Sequence, residues 1–147
     1  MQHPGTLSYT LVGIQFGAIL AVGLTGSWIA RSPVWLGLEL LALIPGCWAL
    51  AVMLPGRFNI FPEVRQGAVL ITRGPYRYLR HPMYTTVLLS TLALVLDNAH
   101  PARIAAWVIL LFVIVFKMRR EERILCDAFP DYPHYCSRTR RIIPWIY

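Results

Sequence analysis

The chain has 147 residues, of which 56% are hydrophobic and only 14% are charged, and its mean hydropathy is +0.53. This composition is too apolar for a soluble domain and is typical of a polytopic membrane protein. The net charge of +7 does not indicate nucleic-acid binding, because nucleic-acid-binding modules do not alternate basic blocks with apolar segments of membrane length. The sequence therefore excludes nucleic acid as a partner.

The three cysteines limit the kind of site further. Cys47, Cys126 and Cys136 are odd in number and lack the CxxC spacing of structural zinc sites. We therefore expect neither a disulfide framework nor a metal site, and interpret the three side chains as packing residues or free thiols.

Four apolar segments follow one another along the chain. The first two are long enough to cross a bilayer, which takes about 20 helical residues. The last two are short. To cross the bilayer they must include flanking residues or thin the bilayer locally; otherwise they form a hairpin that crosses only part of it. The segments are residues 7–30, 34–54, 83–96 and 102–116.

A turn joins the last two segments. Asp97 and Asn98 leave a helix readily, and Pro101 suits the first turn of the next helix. The predicted fold is an all-α, polytopic integral membrane bundle of about four transmembrane helices. It includes a short C-terminal helical hairpin and a cytoplasmic amphipathic tail.

The basic residues are distributed unevenly. Of the fourteen Lys and Arg residues, five lie in residues 55–80 and seven in residues 117–147. With alternate loops on opposite sides of the membrane, these two regions share one side, which the positive-inside rule makes cytoplasmic. Both termini are thus predicted to be cytoplasmic, with Trp28 and Trp35 at the outer interface. The first segment lacks a basic n-region, so we expect it to be retained.

The first two segments carry two features with competing interpretations. Gly13, Gly17 and Ala21 place small residues at four-residue spacing, which predicts close helix packing within the monomer rather than a homodimer. Glu39 lies early in the second segment. It is shallow enough to reach the headgroups, but intramembrane carboxylates are also functional candidates.

A dense polar cluster lies just before the third apolar segment. Residues 73–84 contain three arginines, a histidine and three tyrosines. Because ionisable groups are costly beside hydrocarbon, such a cluster at the mouth of a helix bundle indicates a binding site. A second polar block, residues 119–123, follows the fourth apolar segment. We expect the two polar blocks to lie on the same face of the bundle.

The polar cluster is followed by a series of glutamates, aromatic residues and a proline that extends toward the end of the chain. These residues are Gly74-Pro-Tyr-Arg-Tyr-Leu-Arg-His-Pro-Met-Tyr84, Glu121, Glu122, Leu125, Phe129, Tyr132, Tyr135, Arg138, Ile143 and Pro144. Taken in order, they resemble the isoprenylcysteine carboxyl methyltransferase family, and the related membrane phospholipid methyltransferases share the RHPxY and paired-glutamate elements. The resemblance covers about residues 67–144. We therefore predict one membrane domain, with two N-terminal helices in residues 1–54 and the catalytic portion in residues 55–147.

The resemblance implies a membrane methyltransferase that uses S-adenosylmethionine and releases S-adenosylhomocysteine, without a Rossmann fold. It implies that Lys117 faces the methyl acceptor and that Glu121 shares in catalysis. The cofactor-binding positions that it implies are Ala68, Val69, Leu70, Ile71, Tyr76, Arg80, His81, Pro82, Met83, Tyr84, Glu121, Glu122 and Arg138.

The residue types agree with that implication. The cofactor combines a sulfonium, an adenine, an ammonium and a carboxylate, so its pocket needs aromatic rings, carboxylates and cations. A carboxylate acceptor needs no base and would be oriented by Lys117, whereas an amine acceptor needs a base, for which Glu121 and His81 are candidates. Lys117 and Glu121 also have the spacing of an ordinary helical ion pair.

The acceptor remains open at this stage. The first hypothesis is carboxyl O-methylation of a lipidated or otherwise lipophilic molecule at the cytoplasmic face, with membrane lipid as a partner. Lys117, where the family usually has Arg, weakens it, because Lys lacks a planar bidentate fork. The alternatives are N-methylation of a phospholipid or another small lipophile, a transporter of lipophilic cations that uses Glu39, and an inactive scaffold. The oligomeric state is not predicted.

Overall fold

The computed structural model describes residues 5–53 and 70–143. In these ranges the chain forms five α-helices and one 3-10 turn, and the only bridge of β type pairs Leu79 with Arg140. The predicted all-helical membrane bundle is confirmed. The elements are α1 (Thr6–Leu24), α2 (Pro33–Met53), the 3-10 turn (Gly74–Arg77), α3 (Pro82–Asp97), α4 (Pro101–Ala128) and α5 (Tyr132–Arg138).

Three of these helices, α1, α2 and α4, are long and apolar enough to cross a membrane. Helix α3 has 16 residues, and at about 1.5 Å per residue it is shorter than a hydrocarbon core of about 30 Å. The described residues therefore give three candidate spans, and the expected fourth span is not confirmed.

The ends of two helices differ from the prediction. Helix α4 does not stop near residue 116 but continues to Ala128, because Lys117 ends the apolar run without ending the helix and Lys, Arg, Glu and Leu are strong helix formers. Helix α1 ends at Leu24 rather than Ala30. The ring of Trp28 folds back onto Gly23, where a Cβ would overlap it.

The helices pack as two pairs, α1 with α4 and α2 with α3, and contacts between α3 and α4 join the pairs. Helix α1 turns a buried face toward α4 that runs through Ser8, Leu11, Gln15, Ala18 and Val22. The predicted close packing is wrong for Gly13 and Gly17, because in the described part of the chain nothing lies within 4 Å of a Cβ built at either residue. Ala21, the third small residue, packs against the core cluster that contains Val22 and Leu94.

The end of the bundle at which α1 and α3 finish and α4 begins is organised by a buried arginine. Arg103, near the start of α4, has no exposed surface. Its guanidinium donates hydrogen bonds to the carbonyls of Val22 (2.9 Å), Leu94 (2.7 Å) and Ser27 (2.7 Å). It thus adds hydrogen-bond donors at the C-terminal ends of α1 and α3, where the last carbonyl groups of a helix are short of partners. The carbonyl of Leu94 also accepts a hydrogen bond from the backbone N–H of Asn98.

Two carboxylates hold the connection between α1 and α2. Asp97 accepts hydrogen bonds from the backbone N–H groups of Arg31 and Ser32, both at 2.9 Å. Glu39 accepts one from the backbone N–H of Ala30, also at 2.9 Å. Because Glu39 binds the preceding loop, its carboxylate has a structural role at this end of the protein.

We expect Arg103→Met to lower the free energy of unfolding by about 3 kcal/mol, since it removes the buried hydrogen bonds that the guanidinium donates to the carbonyls of Val22, Leu94 and Ser27. Thermal unfolding in detergent measures this loss. The matched control is Arg119→Met, which makes the same change at an exposed position of the same helix and should change stability little. Equal losses in both variants would contradict the capping role of Arg103.

Candidate functional site

The 3-10 turn reaches the end of α2 through a glycine. Gly74 has a φ of +62°, and a Cβ there would lie 2.6 Å from the side chain of Val52 and 3.3 Å from that of Trp48. Only glycine combines this backbone conformation with so close an approach. The turn thereby brings the Tyr76 hydroxyl to 3.0 Å from the sulfur of Met53.

The segment after α5 pairs with the segment before α3. The backbone N–H of Arg140 donates to the carbonyl of Tyr78 (3.0 Å), that of Arg80 donates to Arg140 (2.7 Å), and that of His81 donates to Arg141 (3.1 Å). This short parallel pairing fixes the polar stretch before α3, although the two segments are about sixty positions apart in the sequence.

A cluster of charged side chains locks these segments to α4. Glu122 accepts hydrogen bonds from Arg80 Nε at 2.8 Å and from Arg141 Nε at 2.9 Å. Arg80 also donates to the carbonyls of Thr139 (2.7 Å) and Cys136 (3.0 Å) at the end of α5. Because Glu122 engages two guanidinium groups, its main effect is to hold α4, α5 and the tail together.

His81 lies between the two glutamates of α4. Its ring stacks on Tyr84, with centroids 5.5 Å apart and an interplanar angle of 20°. Nδ1 is 3.6 Å from Glu121 Oε2, and Nε2 is 3.5 Å from Glu122 Oε1. Nε2 is buried and makes no hydrogen bond with the described part of the chain. The ring therefore keeps a polar atom that a ligand can satisfy.

Lys117 is almost completely buried, at 1% exposure. Its ammonium donates a hydrogen bond of 2.6 Å to the side-chain Oε1 of Gln15 in α1. It also lies 5.4 Å from the centroid of the Tyr84 ring, within the range of a cation–π interaction. Lys117 is thus fixed by contacts with α1 and α3.

Tyr76 joins the cavity to α5. Its backbone carbonyl accepts a hydrogen bond of 2.6 Å from the hydroxyl of Tyr135. Burial, together with the nearby charge of Glu121, raises the pKa of Tyr76 to about 12. Its hydroxyl is therefore neutral and able to donate a hydrogen bond throughout the physiological pH range.

These elements enclose a cavity of about 260 Å³. It is amphipathic, because polar groups converge on one part of its wall and apolar side chains form the rest. The polar lining residues are Gln15, Tyr76, Arg80, His81, Tyr84, Lys117 and Glu121, and the apolar ones are Phe16, Ile19, Met53, Pro82, Met83 and Val87. A cavity of this kind suits a ligand with a charged head and a hydrocarbon portion.

The structure brings most of the predicted site residues to this cavity, and their roles stay predictions. Leu70, Ile71, Glu122 and Arg138 are not among its lining residues; Glu122 is held by the two arginines, and Arg138 is exposed on α5. The predicted positions Ala68 and Val69 lie outside the described residues. Those at the cavity are Tyr76, Arg80, His81, Pro82, Met83, Tyr84, Lys117 and Glu121.

The sequence analysis missed the lining residues that α1 and α2 contribute, Gln15, Phe16, Ile19 and Met53. One of them carried a signal, because Gln15 places an amide among the aliphatic residues of an apolar segment, and a polar group at membrane depth needs a partner. The other three are ordinary apolar residues that nothing in the sequence distinguishes from lipid-facing ones.

Comparison with known proteins gives one family and two relatives. Residues 33–131 match the family described as phospholipid methyltransferase. The chain is 33% identical over 123 residues to the cobalt-zinc-cadmium resistance protein CzcN of Cupriavidus metallidurans, a match that covers 81% of this chain and 52% of that protein. It is 26% identical over 114 residues to the nickel-cobalt-cadmium resistance protein NccN of Alcaligenes xylosoxydans xylosoxydans, a match that covers 75% of this chain and 52% of that protein. The chain thus spans about half the length of these curated relatives.

We expect Glu122→Gln to destabilise the protein by about 3 kcal/mol, because it leaves the guanidinium groups of Arg80 and Arg141 without their shared carboxylate. Amide hydrogen exchange of residues 139–143 should accelerate as the tail detaches, and thermal unfolding should occur at lower temperature.

The control is Glu121→Gln, which makes the same chemical change at the neighbouring position, where the side chain is 28% exposed. We expect it to change stability by less than about 1 kcal/mol. If the two substitutions destabilise equally, Glu122 does not have the anchoring role described above.

Proposed function

The chain belongs to the phospholipid methyltransferase family, and from that premise we propose that it transfers a methyl group from S-adenosylmethionine to a lipophilic acceptor at the cytoplasmic face of a membrane. The observation that carries the proposal is the amphipathic cavity. Its polar residues come largely from the stretch before α3 and from α4, and its apolar residues come from α1, α2 and α3.

The polar residues suit the cofactor. Glu121 is a carboxylate for an ammonium group, and Tyr76 and Tyr84 offer rings for a cation or an adenine. His81 Nε2 lies 3.5 Å from Glu122 Oε1 but makes no hydrogen bond with the described residues. When bound, S-adenosylmethionine supplies an electrophilic methyl group attached to a sulfonium. Arg80 binds Glu122 and the end of α5 while it lines the cavity, so its main effect is to shape the pocket wall.

The chain's own residues would act by positioning and by excluding water. The apolar wall holds the hydrocarbon part of the acceptor beside Lys117, and a fixed geometry of this kind is worth up to about 7–11 kcal/mol in a transfer reaction. Glu121 accepts the proton when the acceptor is an amine. A carboxylate acceptor is already ionised near neutral pH and needs no base. Isoprenylcysteine carboxyl groups and phospholipid amines are both proposed as acceptors.

The names of the two relatives refer to metal resistance, but the cavity does not favour a metal ion as its occupant. Arg80 and Lys117 line it, and their charges repel a metal cation. We therefore propose a methyl acceptor as the occupant. The transport alternative depends on Glu39, which binds the backbone of Ala30 and is not among the lining residues.

Binding of S-adenosylhomocysteine to the detergent-purified protein, measured by calorimetry, tests this proposal. We expect the wild type to bind and His81→Ala and Glu121→Ala each to weaken binding at least about tenfold, since each removes a polar contact to a charged ligand. Arg138→Ala tests whether that exposed residue contributes to the cofactor site, as the family resemblance implies.

The control is Glu39→Gln, which changes a carboxylate at the opposite end of the bundle and should leave binding unchanged. A folded wild-type protein that does not bind S-adenosylhomocysteine would refute the methyltransferase proposal.

A further inference from the structure

Two arginines of α4 are not accounted for by the cavity or by the charge cluster beside it. Arg119 and Arg123 are exposed, and neither forms an ion pair among the residues that the structure describes. The other charged side chains between residues 117 and 123 all contact the cavity or another helix, and they are Lys117, Arg120, Glu121 and Glu122. The exposed pair therefore has to be explained by what surrounds the protein.

The two arginines continue an apolar stripe on the outer face of α4. Phe112 is 69% exposed and Phe116 is 50% exposed. The steps from Phe112 to Phe116, Arg119 and Arg123 are four, three and four residues, and this spacing places the four side chains on one face of an α-helix. None of the four lines the cavity. We call these residues the α4 stripe.

The length of α4 indicates where the α4 stripe lies in a bilayer. The helix starts at Pro101, beside the ends of α1 and α3, and has 28 residues. At about 1.5 Å per residue, a hydrocarbon core of about 30 Å ends roughly 20 residues after that start, close to Arg119. Phe112 and Phe116 thus face acyl chains, whereas the two guanidinium groups lie at the level of the lipid headgroups.

Two guanidinium groups one helical turn apart suit a phosphate. Side chains at this spacing have Cβ atoms about 5–6 Å apart, so Arg119 and Arg123 can both donate hydrogen bonds to the oxygens of one phosphodiester. A zwitterionic headgroup would bring an ammonium close to the two cations, and a headgroup with a net negative charge does not. The pair therefore favours an anionic lipid.

The acidic residue that follows on the same side of the helix does not cancel this preference. Asp127 is exposed and lies one turn beyond Arg123, which is farther from the hydrocarbon core. No ion pair between the two forms in the described part of the chain. One carboxylate beside two guanidinium groups leaves a net positive charge at the end of the stripe.

We propose that the α4 stripe is a binding site for a phospholipid with a net negative headgroup, whose acyl chain lies along Phe112 and Phe116 and whose phosphate binds Arg119 and Arg123. This lipid is distinct from the methyl acceptor, because the stripe lies outside the cavity. The inference does not depend on the proposed methyl transfer. The site is on the same turns of α4 from which Lys117 and Glu121 reach the cavity.

A simpler explanation is that any exposed arginine attracts anionic lipids through its charge, and the chain offers a matched control. Arg77 of the 3-10 turn and Arg140 after α5 are also exposed. Their segments are joined to each other by hydrogen bonds at the same end of the protein, and neither arginine continues an apolar stripe of a long helix. Replacing both by Gln removes the same charge as Arg119→Gln with Arg123→Gln.

The experiment titrates the detergent-purified protein with phosphatidylglycerol or phosphatidylcholine of identical acyl chains and counts bound lipids by native mass spectrometry. We expect the wild type to bind the first phosphatidylglycerol at least about fivefold more tightly than phosphatidylcholine, since each arginine near an anionic headgroup contributes about that factor. Arg119→Gln with Arg123→Gln should lose the preference, each single substitution should lose part of it, and Arg77→Gln with Arg140→Gln should keep it.

Two further measurements sharpen the result. Glycerol phosphate, which has the phosphate without acyl chains, should not displace the bound phosphatidylglycerol. Asp127→Asn should keep or increase the preference, because it removes the one nearby negative charge. Thermal unfolding of each variant shows that it is folded, and if the double variant unfolds at a lower temperature the two single variants decide the test.

Three results would overturn the inference. They are equal affinities of the wild type for the two lipids, an equal loss of preference in the two double variants, and displacement of the lipid by glycerol phosphate. The second would show attraction by charge alone, and the third would show a phosphate site that does not require a lipid. None of the three bears on the binding of S-adenosylhomocysteine, so the proposed function stands or falls separately.

Discussion

The Glu122 carboxylate, held between the guanidinium groups of Arg80 and Arg141, is the interaction on which the site depends. It joins the stretch before α3, the C-terminal end of α4 and the segment after α5. No single helix connects these three parts of the chain. A carboxylate taken out of water needs such compensation, because its desolvation costs several kcal/mol. The same contacts leave the adjacent Glu121 facing the cavity, so two consecutive residues of one helix have different tasks.

Helix α4 links the two ends of the protein. Near its start Arg103 caps α1 and α3, and near its end Lys117 and Glu121 reach the cavity. Between these points α4 packs along α1, while α2 packs along α3. The cavity is lined from both helix pairs, so its shape depends on how the two pairs are placed relative to each other.

The sequence predicted the features that local composition and short motifs determine. These are the apolar segments, the turn at Asp97 and the polar stretch ending in Tyr84. Hydropathy could not predict the end of α4, since it detects the edge of the apolar run and not the loss of helical hydrogen bonds. The glycines of α1 suggested close packing, but their spacing alone does not say which helix face meets a neighbour.

Contacts between distant parts of the chain were the least accessible to sequence reasoning. Gln15 and Lys117 are separated by 102 positions, and Arg103 bonds to Val22 across 81. In each case a polar residue in or beside an apolar segment indicated that a partner must exist, because unpaired polar groups are costly there. Which partner it was could not be read from the pattern, since several carbonyls and amides along the chain satisfy the same requirement.

Lys117 is the only lysine among the 147 residues, and its ammonium is enclosed by Gln15 and Tyr84. Apart from the α-amino group, the chain therefore contains a single amine for acylating reagents, and that amine lies inside the cavity rather than on the surface. Covalent labelling of amines, which on most proteins is spread over many exposed lysines, is here confined to Lys117 and the α-amino group. Because peptide mapping separates these two positions, the burial of Lys117 makes the accessibility of the cavity measurable by mass spectrometry.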